Sequence, residues 1–187
     1  LQDSLRFASD HRAHGVNIVF GGNVIAGTRA KKERSKSYNA FSSINFPNVA
    51  ALYDGRIVFY IDDKDRLAKP LTFYHRLNEN ILLLKLVPGM DGTVLGRLFP
   101  YYDAVIIEAF GVGGLPAYGK VSFYSEIRRW TDAGKIVMMA TQVTHEGSDM
   151  EVYQVGKVIK EDFHLMEAYD MTLEATVTKV MWALGQC

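Results

Sequence analysis

The second half of the chain repeats one pattern: a short apolar run, a loop rich in glycine or proline, and a stretch with helical spacing. The apolar runs lie at 81–86, 104–109 and 136–140, and clear helical stretches lie at 121–133 and 170–184. Apolar runs of this length, bounded by turn residues, are typical of strands buried on both faces. Their alternation with helices predicts an α/β domain in which helices cover both faces of a parallel sheet.

The loops that follow these strands are the first candidates for function. In parallel α/β sheets, ligands bind beyond the carboxyl ends of the strands. The three segments selected by this rule are 87–92, 111–118 and 141–151. We therefore expect polar groups of these loops to border a binding site.

The first part of the chain has a different pattern. Apolar spacing predicts a helix over residues 1 to about 12, and the turn signals Gly-Gly-Asn at 21–23 and Asp-Gly at 54–55 each lie between short apolar runs. Such turns are strong signals for β-hairpins. No period fits the segment from residue 28 to the second hairpin, which predicts an irregular connection with a domain boundary. A solvated charged turn is predicted at 62–65.

Charge and composition argue against several classes of protein. Lys and Arg number 21 and Asp and Glu number 21, so the formal net charge is zero. Nucleic-acid binders normally carry a basic surplus, so no nucleic-acid partner is expected. The apolar runs are too short to span a bilayer, so no membrane partner is expected. The one cysteine, Cys187, cannot form a disulfide framework or a cysteine-based zinc site and fits a reducing compartment.

A glycine-rich loop follows the second apolar strand, with Gly111, Gly113 and Gly114. Their backbone N–H groups could bind an anion. The spacing does not complete a G-x-G-x-x-G motif with a downstream acid, and a tight strand-to-helix turn is the favoured interpretation.

The loop after the third strand is polar. Thr141 and Thr144 carry hydroxyl groups, but without an adjacent base such groups usually satisfy nearby backbone atoms. His145 and Glu146 lack a second histidine at ligand spacing, so no metal site is expected. The loop either borders a binding site or is simply solvated.

Basic residues cluster at 29–36, beside Tyr38 and Phe41. Net neutrality favours a solvated segment over an RNA-binding patch. A lysine buried beside hydroxyl groups loses its charge through desolvation and can act as a base. The spacing by itself does not select which lysine of the cluster would do so.

Several blocks of the sequence closely resemble the cytosolic (type I) bacterial L-asparaginases and follow that family's order. The blocks are GTRAKK at 27–32, SYNAFSSINFP at 37–47, AFGVGGLP at 109–116, TQV at 141–143 with GS at 147–148, and DMTLEATVTK at 170–179. Each block alone is weakly specific, whereas together they span nearly the whole chain.

The resemblance implies a division of the chain into three parts. Residues 1–40 would form the end of a larger N-terminal catalytic α/β domain, with a helix and a β-hairpin. Residues 41–65 would form a linker and hairpin. Residues 66–187 would form a small C-terminal α/β domain with a parallel four-stranded sheet. The family's TGGTI motif with the nucleophilic threonine, and its GTDT motif with a second catalytic threonine, have no match here. Both are expected upstream of Leu1, and the chain alone is expected to be inactive.

One catalytic residue of the family carries over. Its catalytic lysine lies five residues after a glycine at the exit of the first hairpin, and counting from Gly27 this position is Lys32. In the family this lysine forms a triad with the second threonine and an aspartate. The resemblance implies hydrolysis of L-asparagine to L-aspartate and ammonia through an acyl-enzyme, with the lysine as general base.

The family assembles its active sites between subunits, so the resemblance implies a homodimer or homotetramer. Residues expected at the substrate-site border or intersubunit loops are Gly111, Gly113, Gly114, Thr141 and Gln142. A cytoplasmic protein without cofactor or metal is implied.

Some type I enzymes also bind asparagine at an allosteric site. The Thr, Arg, Thr and Cys of that pattern fall at Lys31, Glu108, Thr141 and Val143, so only Thr141 is kept. Glutamate in place of arginine reverses the charge that would bind a carboxylate. No activation by asparagine is expected.

Two other functional classes stay open. One is the asparaginase-like subunit of an archaeal tRNA-dependent amidotransferase, which passes ammonia to a partner enzyme. The other is a truncated domain that folds and associates without catalysis.

Overall fold

A computed structural model describes two compact units. The described residues are 1–61, 72–152 and 154–187, and the units are Leu1–Tyr74 and His75–Cys187. The predicted charged turn at 62–65 and the predicted boundary between residues 65 and 66 lie outside the described residues. The three-part division of the chain stays a prediction.

The first predicted hairpin is confirmed. Strand β1 (Asn17–Phe20) pairs antiparallel with β2 (Asn23–Ala26). Gly21 and Gly22 form the turn with φ of 57° and 78°. Two successive residues at positive φ are what a two-residue hairpin turn requires, and glycine adopts this conformation without a steric penalty.

The prediction of an irregular connection after residue 28 was wrong for two three-residue segments, while 33–40 and 44–49 contain no helix or strand. A short 3₁₀ turn leads into β3 (Ala30–Lys32), which pairs antiparallel with β4 (Phe41–Ser43). Strands of three residues are too short to show a period-two alternation. Their pairing is decided by contacts across the intervening loop, which the local pattern does not display.

The second predicted hairpin is also confirmed. Strand β5 (Ala50–Tyr53) pairs antiparallel with β6 (Arg56–Phe59) through a turn at Asp54 and Gly55. Strand β5 also pairs with β2, so both hairpins belong to one antiparallel sheet of order β1-β2-β5-β6.

Helix α1 covers Gln2–Ala8, which is shorter than the predicted helix over residues 1 to 12. It packs against one face of the antiparallel sheet through Phe7. The buried core on this face consists of Phe7, Val24, Ala50 and Leu52. This cluster stabilises the N-terminal unit.

The C-terminal unit contains the predicted parallel sheet. Its strands are β7 (Ile81–Lys85), β8 (Ala104–Ala109), β9 (Ile136–Thr141) and β10 (Met166–Glu167). All neighbouring strands are parallel and the order is β10-β9-β8-β7, so each strand lies beside the one before it in sequence. The expected four-stranded sheet is confirmed, although β10 is too short to be recognised as an apolar run.

Helices cover both faces of this sheet. They are α2 (Thr93–Leu98), α3 (Phe123–Asp132), α4 (Gln154–Phe163) and α5 (Leu173–Gly185). The Thr172 hydroxyl accepts a 3.2 Å hydrogen bond from the amide of Ala175 at the start of α5. Thr172 is therefore the N-cap, because its side chain satisfies an N–H group that lacks an intrahelical partner.

Side chains of the central strands alternate between two buried clusters. One face packs Val105, Ile107, Val137 and Met139 against Phe123, Ile127 and Trp130 of α3. The other face packs Ala104, Ile106, Met138 and Ala140 against Val180 of α5. Burial on both faces explains why these strands are continuous apolar runs in the sequence.

Within the ranges described above, no helix combines the length and apolar character needed to cross a membrane.

Candidate functional site

The loops predicted to border a site leave the parallel sheet at one edge. Strands β7, β8 and β9 are parallel and in register up to their last residues. The segments 87–92, 111–118 and 141–151 therefore follow the same ends of adjacent strands. We call these three segments the carboxyl edge.

Gln142 connects the ends of the three strands. Its Nε2 donates hydrogen bonds to the carbonyl oxygens of Leu86, at 2.7 Å, and Glu108, at 3.0 Å. Its backbone N–H donates to the carbonyl of Ala109 at 3.2 Å. In this arrangement the side-chain amide stabilises the edge itself.

The hydroxyl of Thr141 contacts the loop that contains Gly111, Gly113 and Gly114, which we call the glycine loop. Thr141 Oγ1 donates to the carbonyl oxygen of Gly111 at 2.5 Å and accepts from the amide of Val143 at 3.0 Å. These contacts fit the interpretation of a hydroxyl that satisfies backbone groups.

The glycine loop is a tight turn. Phe110 and Gly114 exchange backbone hydrogen bonds of 3.0 Å and 2.7 Å, and the amide of Gly113 also donates to the Phe110 carbonyl, at 3.1 Å. Because the amides of Gly113 and Gly114 point back to Phe110, the geometry favours the tight-turn interpretation over an anion site. Gly111 and Gly113 have φ of 51° and 135°, the left-handed region that glycine tolerates.

The loop after β9 packs directly on the glycine loop. The amide of Asp149 donates to the carbonyl of Val112 at 2.9 Å. Met150 is buried, and its Cγ lies 2.8 Å from the position a Cβ would occupy on Gly113. A glycine is required at 113 for this close approach.

Asp91 joins the loop after β7 to the segment that leads into α3. Its carboxylate accepts 2.9 Å hydrogen bonds from the amides of Thr93 and Lys120. Hydrogen bonds from the Thr93 side chain and from these amides lower the pKa of Asp91 from 3.8 to about 2. The Tyr118 hydroxyl also accepts from the amide of Gly89, at 3.0 Å.

Sequence reasoning missed a charged cluster beside the loop after β9. Lys160 Nζ donates to Glu151 at 2.8 Å, to Glu167 at 2.7 Å and to the hydroxyl of Tyr169 at 3.1 Å. These hydrogen bonds, first that with Glu151 and then that with Glu167, raise the pKa of Lys160 above its ordinary value. We call these four residues the Lys160 cluster. They come from different elements, and their sequence spacing carries no recognisable motif.

Lys32 lies in the N-terminal unit, at the end of β3 and opposite Phe41. The side chain is exposed, and its Nζ lies 5.9 Å from the centroid of the Phe41 ring. The structure thus places the ammonium group on a paired strand and not in the interior of the described unit. Its catalytic role stays a prediction.

Glu108 occupies a position of the allosteric pattern and is 9% exposed. Its Oε1 lies 3.7 Å from Nζ of Lys85 on the neighbouring strand. The carboxylate is therefore paired with a cation of its own unit.

Metal-ligating side chains do not converge in the part of the chain that the structure describes, where no group of three or more His, Cys, Asp and Glu could hold an ion. His145 and Glu146 are exposed.

Two family models match the chain in its sequence order. The model described as Asparaginase, N-terminal, matches residues 1–65, and the model described as Glutaminase/Asparaginase C-terminal domain matches residues 80–187.

Individual relatives cover most of this chain. The L-asparaginase of Thermococcus kodakarensis is 34% identical over 171 residues, which are 91% of this chain and 51% of that protein. A glutamyl-tRNA(Gln) amidotransferase subunit of Pyrococcus furiosus is 31% identical over 163 residues, which are 85% of this chain and 36% of that protein. The chain spans about half of the first relative's length and about a third of the second's.

A solved structure has the same fold. The thermostable L-asparaginase from Thermococcus kodakarensis superimposes with a TM-score of 0.82 at 30% identity, covering 98% of this chain and 56% of that one. The arrangement of a helix and hairpins followed by a small parallel-sheet domain is therefore that of an asparaginase structure.

Proposed function

The chain belongs to the glutaminase/asparaginase family, and we propose that it is the C-terminal part of a cytoplasmic, type I L-asparaginase that hydrolyses L-asparagine to L-aspartate and ammonia. The observation that carries the proposal is the match of residues 1–65 and 80–187 to the two asparaginase models. The 34% identity to an L-asparaginase over 91% of the chain supports the same substrate.

The proposed reaction has two steps. A threonine hydroxyl attacks the side-chain amide carbon of asparagine while a base takes its proton, and the C–N bond breaks as the nitrogen leaves, protonated, as ammonia. Water then attacks the resulting ester and releases aspartate and the threonine. The TGGTI and GTDT motifs have no match within these 187 residues. The proposal therefore places both threonines outside them, and this chain alone is inactive.

Lys32 is the proposed base, acting directly or through the second threonine and water. A lysine serves in this way when its ammonium is desolvated, because desolvation disfavours the charged form. Pairing of β3 with β4 fixes the backbone at Lys32, and its side chain is exposed on that strand. An exposed side chain on a paired strand can be reached by hydroxyl groups from another part of the enzyme. Paired elements hold catalytic groups more reproducibly than loops do.

Segments 111–118 and 141–151 of the carboxyl edge are the proposed border of a neighbouring subunit's substrate site in a homodimer or homotetramer. The residues proposed there are Gly111, Gly113, Gly114, Thr141 and Gln142. Their contacts support a role in holding the loops in one conformation. Thr141 binds the Gly111 carbonyl, and Gln142 binds the ends of β7 and β8.

A second candidate is the asparaginase-like subunit of a tRNA-dependent amidotransferase, which would pass ammonia to a partner enzyme. The 31% identity to a glutamyl-tRNA(Gln) amidotransferase subunit supports it. A third candidate is a non-catalytic domain.

Ammonia release by the intact protein that contains this chain separates the candidates. An asparaginase releases ammonia and aspartate from free L-asparagine without tRNA or a partner. The amidotransferase subunit requires charged tRNA and its partner, and a non-catalytic domain releases none in either assay. L-glutamine, tested in parallel, defines the substrate preference. Absence of ammonia release from free asparagine would overturn the main proposal.

A further inference from the structure

We propose that Lys160 is a positioning residue of the carboxyl edge: it holds Glu167 and Tyr169, and these two residues hold 148–150 against the glycine loop. The inference deepens the proposed function, and it rests on that function only where activity is measured. Its structural part concerns contacts within the C-terminal unit.

Lys160 forms an ion pair with Glu167. The Lys160 side chain is 15% exposed and that of Glu167 is fully buried, with 2.7 Å between Nζ and Oε2. A buried carboxylate that loses its cation is left without compensation, which is strongly destabilising, so Lys160 stabilises the Glu167 side chain in this position.

Glu167 also contacts the backbone of the loop after β9. The other carboxylate oxygen, Oε1, accepts a 2.7 Å hydrogen bond from the amide of Met150. One carboxylate therefore bridges the ammonium group on α4 and the main chain at residue 150. A hydrogen bond to a charged acceptor is stronger than one between neutral groups.

Tyr169 forms a second connection between Lys160 and the segment 148–150. Its hydroxyl accepts a hydrogen bond from Lys160 Nζ. The backbone of Tyr169 donates to Ser148 Oγ and accepts from the Ser148 amide, both at 3.0 Å. A Cβ on Gly147 would overlap the Tyr169 carbonyl oxygen. The start of the segment 148–150 thus lies directly on the main chain of Tyr169.

The opposite side of the segment 148–150 contacts the glycine loop. Asp149 donates to Val112, and Met150 packs against Gly113. The segment 148–150 lies between the Lys160 cluster and the glycine loop. A displacement of Met150 therefore removes a side chain that packs against Gly113. Lys160 therefore acts on the glycine loop through other residues.

Amide hydrogen exchange, resolved by NMR on the 187-residue chain, tests this inference. Lys160→Met should accelerate exchange at the amides of Asp149 and Met150 about tenfold. The reason is that the hydrogen bonds of these amides to Val112 and Glu167 are weakened when Lys160 is lost. The amides of Ile106 and Ile107 in β8 serve as internal reference. Lys160→Arg, which keeps the charge, should restore most of the protection.

Lys135→Met is the matched control. Lys135 is a partly buried lysine before β9, at the opposite edge of the sheet, and it donates to the carbonyls of Phe99 at 2.6 Å and Tyr102 at 2.5 Å. Its replacement also removes lysine hydrogen bonds but should leave exchange at Asp149 and Met150 at the wild-type rate. Equal acceleration in both variants, or none in Lys160→Met, would overturn the inference.

Glu167→Gln keeps the inference testable if Lys160→Met does not fold. The amide is nearly isosteric and leaves no buried carboxylate, while Lys160 retains Glu151 and Tyr169. Exchange at Met150 should accelerate severalfold, and an unchanged rate contradicts the inference.

Kinetics of the intact enzyme give an independent readout. Lys160→Met should raise KM for asparagine more than it lowers kcat, whereas loss of folded protein would lower kcat and leave KM unchanged. Lys160→Arg should restore KM. If the wild-type protein releases no ammonia from asparagine, the proposed function fails while the exchange experiment still tests the role of Lys160.

Discussion

The side-chain amide of Gln142 lies 2.7 Å from the carbonyl oxygen of Leu86, the residue that follows β7. The same Nε2 lies 3.0 Å from the carbonyl oxygen of Glu108 in β8. A residue placed by family resemblance at a substrate border therefore connects the ends of three strands. Its contribution to stability can be measured without any substrate.

Gln142→Leu should lower the free energy of unfolding by about 1–3 kcal/mol, because the carbonyl of the buried residue Leu86 loses its side-chain donor. Urea denaturation of the chain measures this change. Gln2→Leu, at an exposed position in α1, is the control and should change stability by less than about 0.5 kcal/mol. Equal stability of the wild type and Gln142→Leu would show that the hydrogen bonds do not matter.

Gly113→Ala should destabilise the C-terminal unit more than Gly111→Ala. Both glycines have positive φ, but a Cβ at 113 would lie 2.8 Å from Met150 Cγ, whereas the position at 111 is open. Near the φ of Gly111, the left-handed helical conformation costs an alanine about 1–2 kcal/mol. The steric contact at 113 adds to the strain of a positive φ, and urea midpoints of the two variants compare them. Indistinguishable midpoints would contradict the packing of Met150 on Gly113.

Stability of the C-terminal unit should fall as the pH is lowered from about 4 to about 2. The folded pKa of Asp91 is about 2, below its ordinary value of 3.8, so the unfolded chain binds more protons in this window. The stabilisation by ionised Asp91 is fully present above the unfolded pKa and is lost as the pH falls through the folded pKa.

Asp91→Asn should flatten this pH dependence, as measured by urea midpoints at several pH values. Asp132→Asn, at an exposed position in the same unit, should keep the wild-type slope. If stability depends on pH equally in Asp91→Asn and in the wild type, Asp91 does not cause the loss of stability at low pH.

Lys32→Ala should lower ammonia release by the intact enzyme about 10²–10⁴-fold, the usual contribution of a general base. Because the Lys32 side chain is exposed in the described N-terminal unit, the 187-residue chain that carries Lys32→Ala should keep its stability within about 0.5 kcal/mol. Ammonia release is measured on the intact enzyme, and thermal unfolding is measured on the 187-residue chain. Lys36→Ala, also exposed and basic, is the control and should retain activity. Near-normal turnover of Lys32→Ala would refute its assignment as the base.

Asparagine should produce hyperbolic saturation kinetics in the intact enzyme. Glu108 holds a negative charge at the position where the allosteric pattern has arginine, and it pairs with Lys85 at 3.7 Å. A carboxylate repels the carboxylate of asparagine, so this position cannot bind it as arginine would. Steady-state rates over a wide range of asparagine concentration test this, and sigmoidal kinetics would contradict it.

The parallel sheet was largely predictable because its signal is local. Strand β8 has the predicted bounds 104–109, and β7 and β9 differ from prediction by one residue at their ends. Continuous apolar runs report burial on both faces, which is a property of each strand alone. The two hairpins were predictable for a similar reason, since glycine at positive φ specifies the turn.

Pairings between distant segments were not predictable from local pattern. Strands β3 and β4 are three residues each, β10 has two, and the contact of β2 with β5 joins separate hairpins. Such short strands gain their stability from neighbours, so their own residues carry little signal.

The sequence by itself therefore determined the elements whose signals are local, namely the buried strands, the glycine turns and the family motifs that include Lys32. The tertiary structure alone decided that Gln142 binds the ends of two other strands and that Lys160 pairs with Glu151, Glu167 and Tyr169. The physical reason is that hydrogen bonds and ion pairs depend on distances of about 3 Å between groups from different elements. Those distances are set by how the strands and helices pack, and no spacing along the chain encodes them.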